Sequence, residues 1–278
     1  MRKIYILLVA VTLAAAGCSS INMTSATSAG VKALQAMTLS DAQIEGYVGD
    51  YVHQLDAQNT IAGPNDPYSV RLNRIAGAIN NRDGINIKVY KTKDVNAFAV
   101  ADGSVRVYSG LMDIMSDEEV LGVIGHEIGH VKLKHTKEAF KNALLTSAAR
   151  DAVSSTGGLA ATLSGSVVGD LAETLSSSQY SQKQEREADD YGYEFLRSHG
   201  LNPWAMALSF EKLKQMEEQA GGRASGAVMQ LFSTHPDLDE RISRMVRRAE
   251  KDGFPMPGSG SKATTPTGST TTSGKWSY

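Results

Sequence analysis

The chain is poor in cysteine. Its 278 residues contain one, Cys18, so no internal disulfide can form. It also lacks a charge excess: 28 lysines and arginines face 30 aspartates and glutamates, a net charge of -2. Without a basic surplus there is no reason to expect nucleic acid as a partner. No internal repeat is visible. Long apolar runs are missing too, apart from one at the N-terminus. The longest uncharged stretch elsewhere, "AVSSTGGLAATLSGSVVG", is interrupted by small polar residues and a glycine pair, with Arg150, Asp151 and Asp170 at its borders. That pattern argues against a membrane span and for a mobile or loosely packed segment. Apolar residues make up 41% of the chain, an ordinary share for a globular domain with a sizeable core.

Both ends carry recognisable signals. "MRK" followed by "IYILLVAVTLAAA" is a basic leader and an apolar run of signal-peptide length. The run ends in "AAGC", and the lone cysteine stands at that point, as in a bacterial lipobox, with Ala15 where leucine is commoner. Lipidation of Cys18 is therefore expected, against the alternative of ordinary secretion with cleavage nearby and a free thiol. At the other end, "PGSGSKATTPTGSTTTSGKWSY" has almost nothing to bury and should stay disordered. The chain thus divides into a signal peptide over 1–17, a lipid-anchored tether over 18–37, a folded domain over 38–255 and a tail over 256–278.

Within the folded domain, "LSDAQIEGYVGDYVHQLDAQN" has helical periodicity with Ser40 as N-cap, and a second helix is expected over 68–79. "INIKVYKT" alternates as a strand does. "AFAVADGSVRVYSG" reads as a hairpin about Asp102-Gly103, a pair favoured in type I′ turns. Ser116 and Glu119 form a capping box ahead of "VLGVIGHEIGHVK", so that stretch should be helical. Another helix is expected over 171–198, ending at His199-Gly200, with two or three more as far as Asp252.

On a helix, residues four apart lie about 40° from one another. His126 and His130 therefore share a face and can hold one metal ion through neutral ring nitrogens. Glu127 is offset by about 100°, beside the ion, where a general base for an attacking water must stand. Valines and isoleucines make this helix apolar enough to be buried, and a buried helix with two histidines and a glutamate needs a reason for them. A third ligand is required. The positions downstream where a metzincin carries glycine and histidine hold Leu133 and Thr136, and His135, about 140° round from His130, is expected to face solvent. "SQKQEREADDYGYEF" offers Glu185 and Asp189 on one face, with Glu187 about 200° away from Glu185. Glu185 is the expected ligand, and Asp189 would hydrogen-bond the free nitrogen of a ligating histidine. Without the upstream motif the same acidic cluster would read as a solvated face. In "STHPD", Pro236 disfavours helical geometry at His235 and can aim its ring into a cleft to stabilise an oxyanion; a loop histidine capping the next helix is the alternative.

"NAFAVADGSVRVYSGLM", "VIGHEIGH", "SQKQEREADDYGYEFLR" and "STHPD", in that order and spacing over 38–252, resemble the HtpX and CaaX prenyl protease family of gluzincin metalloproteases, and within it a bacterial lipoprotein branch. The resemblance implies an α+β, mainly helical, zincin-like domain with a small sheet, a strand plus a hairpin, beside the active-site helix. It implies one zinc ion held by His126, His130 and Glu185, Glu127 as base, and a role near the metal for His235. It also implies that Asn96, Ala97, Phe98, Ala99 and Val100 line the cleft and pair with an extended substrate through backbone hydrogen bonds. The chain departs from membrane-integral members by lacking internal spans, so envelope polypeptides that are misfolded or mislocalised are the expected substrates. Ser19, not aspartate, follows Cys18, which by resemblance to Gram-negative sorting implies the outer membrane, with the domain facing the periplasm. A chaperone or assembly factor for envelope proteins, with secondary protease activity, is the competing reading.

Overall fold

The computed structural model describes residues 40–154, 175, 179–220, 235 and 237–258. The signal peptide, Cys18, the tether, most of the stretch around Gly157, Pro236, and the tail with Trp276 and Tyr278 lie outside the described residues.

Helices begin where the sequence supplies acceptors for otherwise orphaned N–H groups. Helix α1 (Asp41–Gln58) follows Ser40, whose hydroxyl accepts the Gln43 N–H at 3.3 Å while Gln43 Oε1 accepts the Ser40 N–H at 2.9 Å. Helix α2 (Pro67–Ala76) is capped by Asp66, with Pro67 in its first turn, where a missing N–H costs nothing. It ends sooner than the sequence pattern suggests, at a C-cap on Gly77.

Three strands follow: β1 (Asn86–Tyr90), β2 (Ala97–Ala99) and β3 (Ser104–Tyr108). Their order is β1-β3-β2. β1 runs parallel to β3 and β2 antiparallel to it, which leaves β2 at an edge. The expected hairpin is present, but its turn differs. A type I′ turn needs positive φ at both central residues, and of the Asp102-Gly103 pair only Gly103 has it, at 89°. Val100 O accepts the Gly103 N–H at 3.0 Å and the Val100 N–H donates to Ser104 O at 2.8 Å. The loop therefore holds three residues, 101–103, and closes on the left-handed glycine.

The sheet has two unlike faces. Ile87, Val89, Val105 and Val107 belong to the main core. Lys88, Tyr90 and Arg106 turn the other way and meet Asp56 of α1: Arg106 Nε and Nη2 donate at 2.8 and 3.0 Å, Tyr90 Oη at 2.6 Å and Lys88 Nζ at 2.9 Å. Apolar residues of α1, among them Ile44, Val48 and Tyr51, form a second cluster with Val100 at the hairpin and Phe140.

A short helix α3 (Ser109–Ile114) leads into α4 (Asp117–Lys132). The Ser116–Glu119 capping box is present in both directions, at 3.2 and 2.6 Å, and three acidic residues occupy the first turn, where the helix dipole favours them. Every residue from Val120 to His130 is buried. Around α4 stand the sheet, α6 (Gln182–Ser198) and α7 (Trp204–Ala220); α5 (His135–Ser154) and α8 (Leu238–Lys251) complete the described elements. Helix α6 begins at Gln182, later than the sequence pattern suggests, because Ser181 and Gln184 form a third capping box and residues 179–181 are not helical. The small-residue stretch is helical as far as Ser154. Among the described residues no helix is long and apolar enough to cross a membrane.

Helices α4 and α6 cross with their backbones in contact. A Cβ on Gly129 would lie 2.3 Å from the Ala188 carbonyl oxygen, and one on Gly192 2.5 Å from the Gly125 carbonyl oxygen. Glycine at these positions brings the first turns of α6 up to the second half of α4, and with them two carboxylates up to two histidines. The α+β, mainly helical architecture with a small sheet beside this helix matches the expected fold class.

Candidate metal centre

Helix α4 supplies His126, Glu127 and His130, α6 supplies Glu185 and Asp189, and His235 enters from the segment before α8. His126 Nε2 lies 3.0 Å from His130 Nε2 and 3.1 Å from His235 Nδ1. Glu185 Oε1 lies 2.9 Å from His235 Nδ1 and 3.3 Å from His130 Nε2. One ligand atom from each of these four buried residues falls within 4.8 Å of all the others. Three imidazole nitrogens and one carboxylate oxygen converging at such distances are the N and O donors that zinc takes, so the residues fit that ion.

The surroundings prepare the donors. Asp189 Oδ1 lies 2.9 Å from His126 Nδ1, so a proton held there leaves Nε2 bare toward the centre. Burial works to raise the Asp189 carboxyl, but the charge of Arg241 and the His126 hydrogen bond outweigh it and hold it at about 2. Burial works the same way on Glu185, where the charges of His235 and His126 and hydrogen bonds from both His130 and His235 hold the carboxyl well below the usual range. Burial drives the His130 imidazole well below its ordinary value, keeping it neutral as a ligand must be. Glu127 is 4% exposed, and burial raises its carboxyl against the pull of His235 and His126. The Ala99 N–H of β2 donates to that carboxylate, and His235 Nε2 is 3.5 Å from Glu127 Oε1.

The structure brings His126, Glu127, His130, Glu185, Asp189 and His235 into one place. Glu187, by contrast, has a side chain 44% exposed and stands apart. His235 does not cap the next helix: Asp237 is the N-cap residue of α8, without a side-chain cap bond. The strand β2 is shorter than the expected 96–100, covering 97–99, and lies beside α4 at the sheet edge. Asn96 Oδ1 accepts the Ala97 N–H at 2.9 Å, and Val100 belongs to the turn.

His135 is a correction. It does not face solvent but is 5% exposed, with its Nδ1 3.2 Å from His130 Nδ1. The 140° projection assumed one continuous helix, whereas α4 stops at Leu133, Lys134 adopts φ 62°, and α5 starts at His135. Two further residues were not singled out from the sequence. Arg241 is 3% exposed and bonds Glu185 Oε2 at 2.6 Å and Asp189 at 2.8 and 3.0 Å, over the Phe210 ring at 4.2 Å. Tyr180 stacks on His130 with ring centroids 3.9 Å apart. The signal for Arg241 was present: arginines at 241, 244 and 248 recur at helical spacing opposite acids at 189, 190 and 194, and they pair across the two helices.

Residues 71–249 match the model of peptidase family M48. The chain is 47% identical over 257 residues to metalloprotease LoiP of Escherichia coli (strain K12), covering 91% of this chain and 99% of that one. It is 41% identical to metalloprotease YcaL of the same organism, over 89% and 98%. It is 31% identical to the beta-barrel assembly-enhancing protease of Escherichia coli O157:H7, over 77% of this chain and 45% of that one.

Proposed function

The chain belongs to peptidase family M48, and from that premise we propose that it is a lipid-anchored zinc endopeptidase that cleaves misfolded or mislocalised proteins of the bacterial envelope. That it is a metallopeptidase follows from its family and from the curated metalloproteases it resembles. The observation that carries the mechanistic reading is the convergence of His126, His130 and Glu185 with Glu127 alongside. His126, His130 and Glu185 are assigned as the residues that hold the ion. Zinc, when bound, polarises the scissile carbonyl and makes water a better acid.

Glu127 takes the proton from the attacking water and delivers it to the leaving amine. Its burial suits both halves of that task, since a raised carboxyl gives and takes a proton more nearly equally near neutral pH. His235, between Glu127 and Glu185, is placed to stabilise the oxyanion. Asp189 orients His126. The edge position of β2 supports backbone pairing with an extended polypeptide along 96–100, a mode that reads conformation more than side chains. The lipobox-like "AAGC" ending at Cys18, followed by Ser19, supports attachment to the outer membrane with the domain in the periplasm.

Glu127→Gln tests this directly. The variant keeps its shape and its zinc, loses a base typically worth about 10²–10⁴ in rate, and is expected to retain bound envelope polypeptides that the wild type releases as fragments. Cleavage within a few-fold of wild type removes Glu127 from the role of base. A variant that cleaves nothing yet fully restores envelope function in cells makes chaperoning, not proteolysis, the activity that matters.

A further inference from the structure

His126 and His130 present the same nitrogen, Nε2, to the centre. A neutral imidazole has one N–H, so the group facing Nδ1 decides whether Nε2 is bare. For His126 that group is the Asp189 carboxylate, anchored by Arg241 and Arg244. His130 faces something different: another imidazole, with Nδ1 of His135 3.2 Å away and the two rings 67° apart in plane. On its far side, His135 Nε2 points to Glu187 Oε2 at 3.5 Å, and Glu187 also pairs with Lys183 at 3.6 Å on the surface. The His135 ring is 5% exposed and lies between these two groups, with Nδ1 toward His130 and Nε2 toward Glu187.

We propose that His135 is a positioning residue for His130. It accepts the His130 Nδ1–H on its own bare Nδ1 and turns its Nε2–H to Glu187, which leaves the His130 Nε2 lone pair for the metal. The reverse order fails. With its proton on Nδ1, His135 would either oppose the N–H of His130 across 3.2 Å or push that proton to Nε2, where it excludes the ion. Tyr180, stacked on the face of His130, leaves the ring little room to escape this choice by turning. The short break at Lys134 sets His135 at the head of α5, opposite His130. This inference rests on the ligand role proposed above for His130.

The test compares zinc affinity, by competition with a chromogenic chelator, in the full chain and in two variants. His135→Leu keeps bulk and removes the acceptor; it is expected to weaken zinc binding about 10–100-fold. His135→Asn places Oδ1 near the position of the lost Nδ1 and is expected to stay within a few-fold of wild type. Imidazole ¹⁵N–¹H correlation spectra of the zinc-loaded wild type should show the proton on Nδ1 of His130 and on Nε2 of His135. Affinity of the Leu variant equal to wild type, an Asn variant as weak as Leu, or protons on the other nitrogens overturns the proposal. Should the Leu variant not fold, the Asn variant and the wild-type spectrum still decide. If the wild type binds no zinc, or His130→Ala keeps it, the ligand assignment itself fails; loss confined to the His135 comparison leaves that assignment standing.

Discussion

Arg241 lies between two buried carboxylates that the metal centre needs ionised. Removing one partner of a buried ion pair leaves the other charged and unsolvated, at a cost of about 3–5 kcal/mol. Arg241→Met should therefore lower the unfolding free energy of the metal-free protein by several kcal/mol in a denaturant titration. A loss below about 1 kcal/mol would mean the carboxylates find other compensation. Helix geometry sets Glu185 and Glu187 on opposite faces of α6, one buried and one 44% exposed. Glu185→Gln should lose most of its zinc on purification and Glu187→Gln should keep it, as read by metal mass spectrometry; equal zinc in both would sink the ligand assignment. The histidine–glutamate set could be read from the sequence because helical offsets are a local property. The buried place of His135 could not, because one left-handed residue, Lys134, resets the offset, and no glycine or proline in "VKLKHTKE" announces it.

The crossing of α4 and α6 is an arrangement of whole elements. Gly129→Ala would put a methyl group 2.3 Å from a backbone oxygen, and overpacking of this kind costs about 1–3 kcal/mol. The helices must separate, so both the melting temperature and zinc affinity are expected to fall. Gly46→Ala at an exposed position of α1, where nothing lies within 4 Å, should instead be neutral or stabilising by up to about 1 kcal/mol. A Gly129→Ala variant as stable as Gly46→Ala would show that close approach at Gly129 does not constrain the crossing. Elements with complete local signals were legible: the Ser116 capping box and the hairpin are where the pattern puts them. The start of α6 was not foreseen, although Ser181 and Gln184 repeat the Ser116–Glu119 signature. The parallel docking of β1 on β3 depends on contacts distant in sequence and leaves no local trace.

Across the whole molecule, α1 is fastened to the sheet by the bonds of Asp56 to Arg106, Tyr90 and Lys88. Against the opposing effect of burial, these bonds lower the Asp56 carboxyl from 3.8 to about 2. A carboxyl depressed in the folded state stabilises fully above its unfolded value, and that stability is lost as pH falls through the folded one. Wild type and Asp56→Asn should thus differ most in unfolding free energy at about pH 5 and converge toward about pH 2. A gap that does not shrink would show that Asp56 acts through packing alone. Anchoring is tested at this scale too. Cys18→Ser should move the protein from membrane to soluble fractions with its peptidase domain intact, and a variant that still carries lipid rules out the lipobox.

With one cysteine, the chain has no covalent means of tying distant segments together. The donor cluster provides another: His126 and His130 of α4 stand together with Glu185 of α6, although α5 and the residues after it separate them along the chain. An ion held there closes those long loops as a disulfide would, and its binding free energy adds to folding. The bond is reversible, so it tracks the free zinc of the surrounding compartment. Stripping the ion should therefore lower the melting temperature and speed proteolysis of the enzyme itself, and added zinc should restore both. Under zinc starvation activity and lifetime are therefore expected to fall together, which the half-life of the protein in cells grown with a chelator would check.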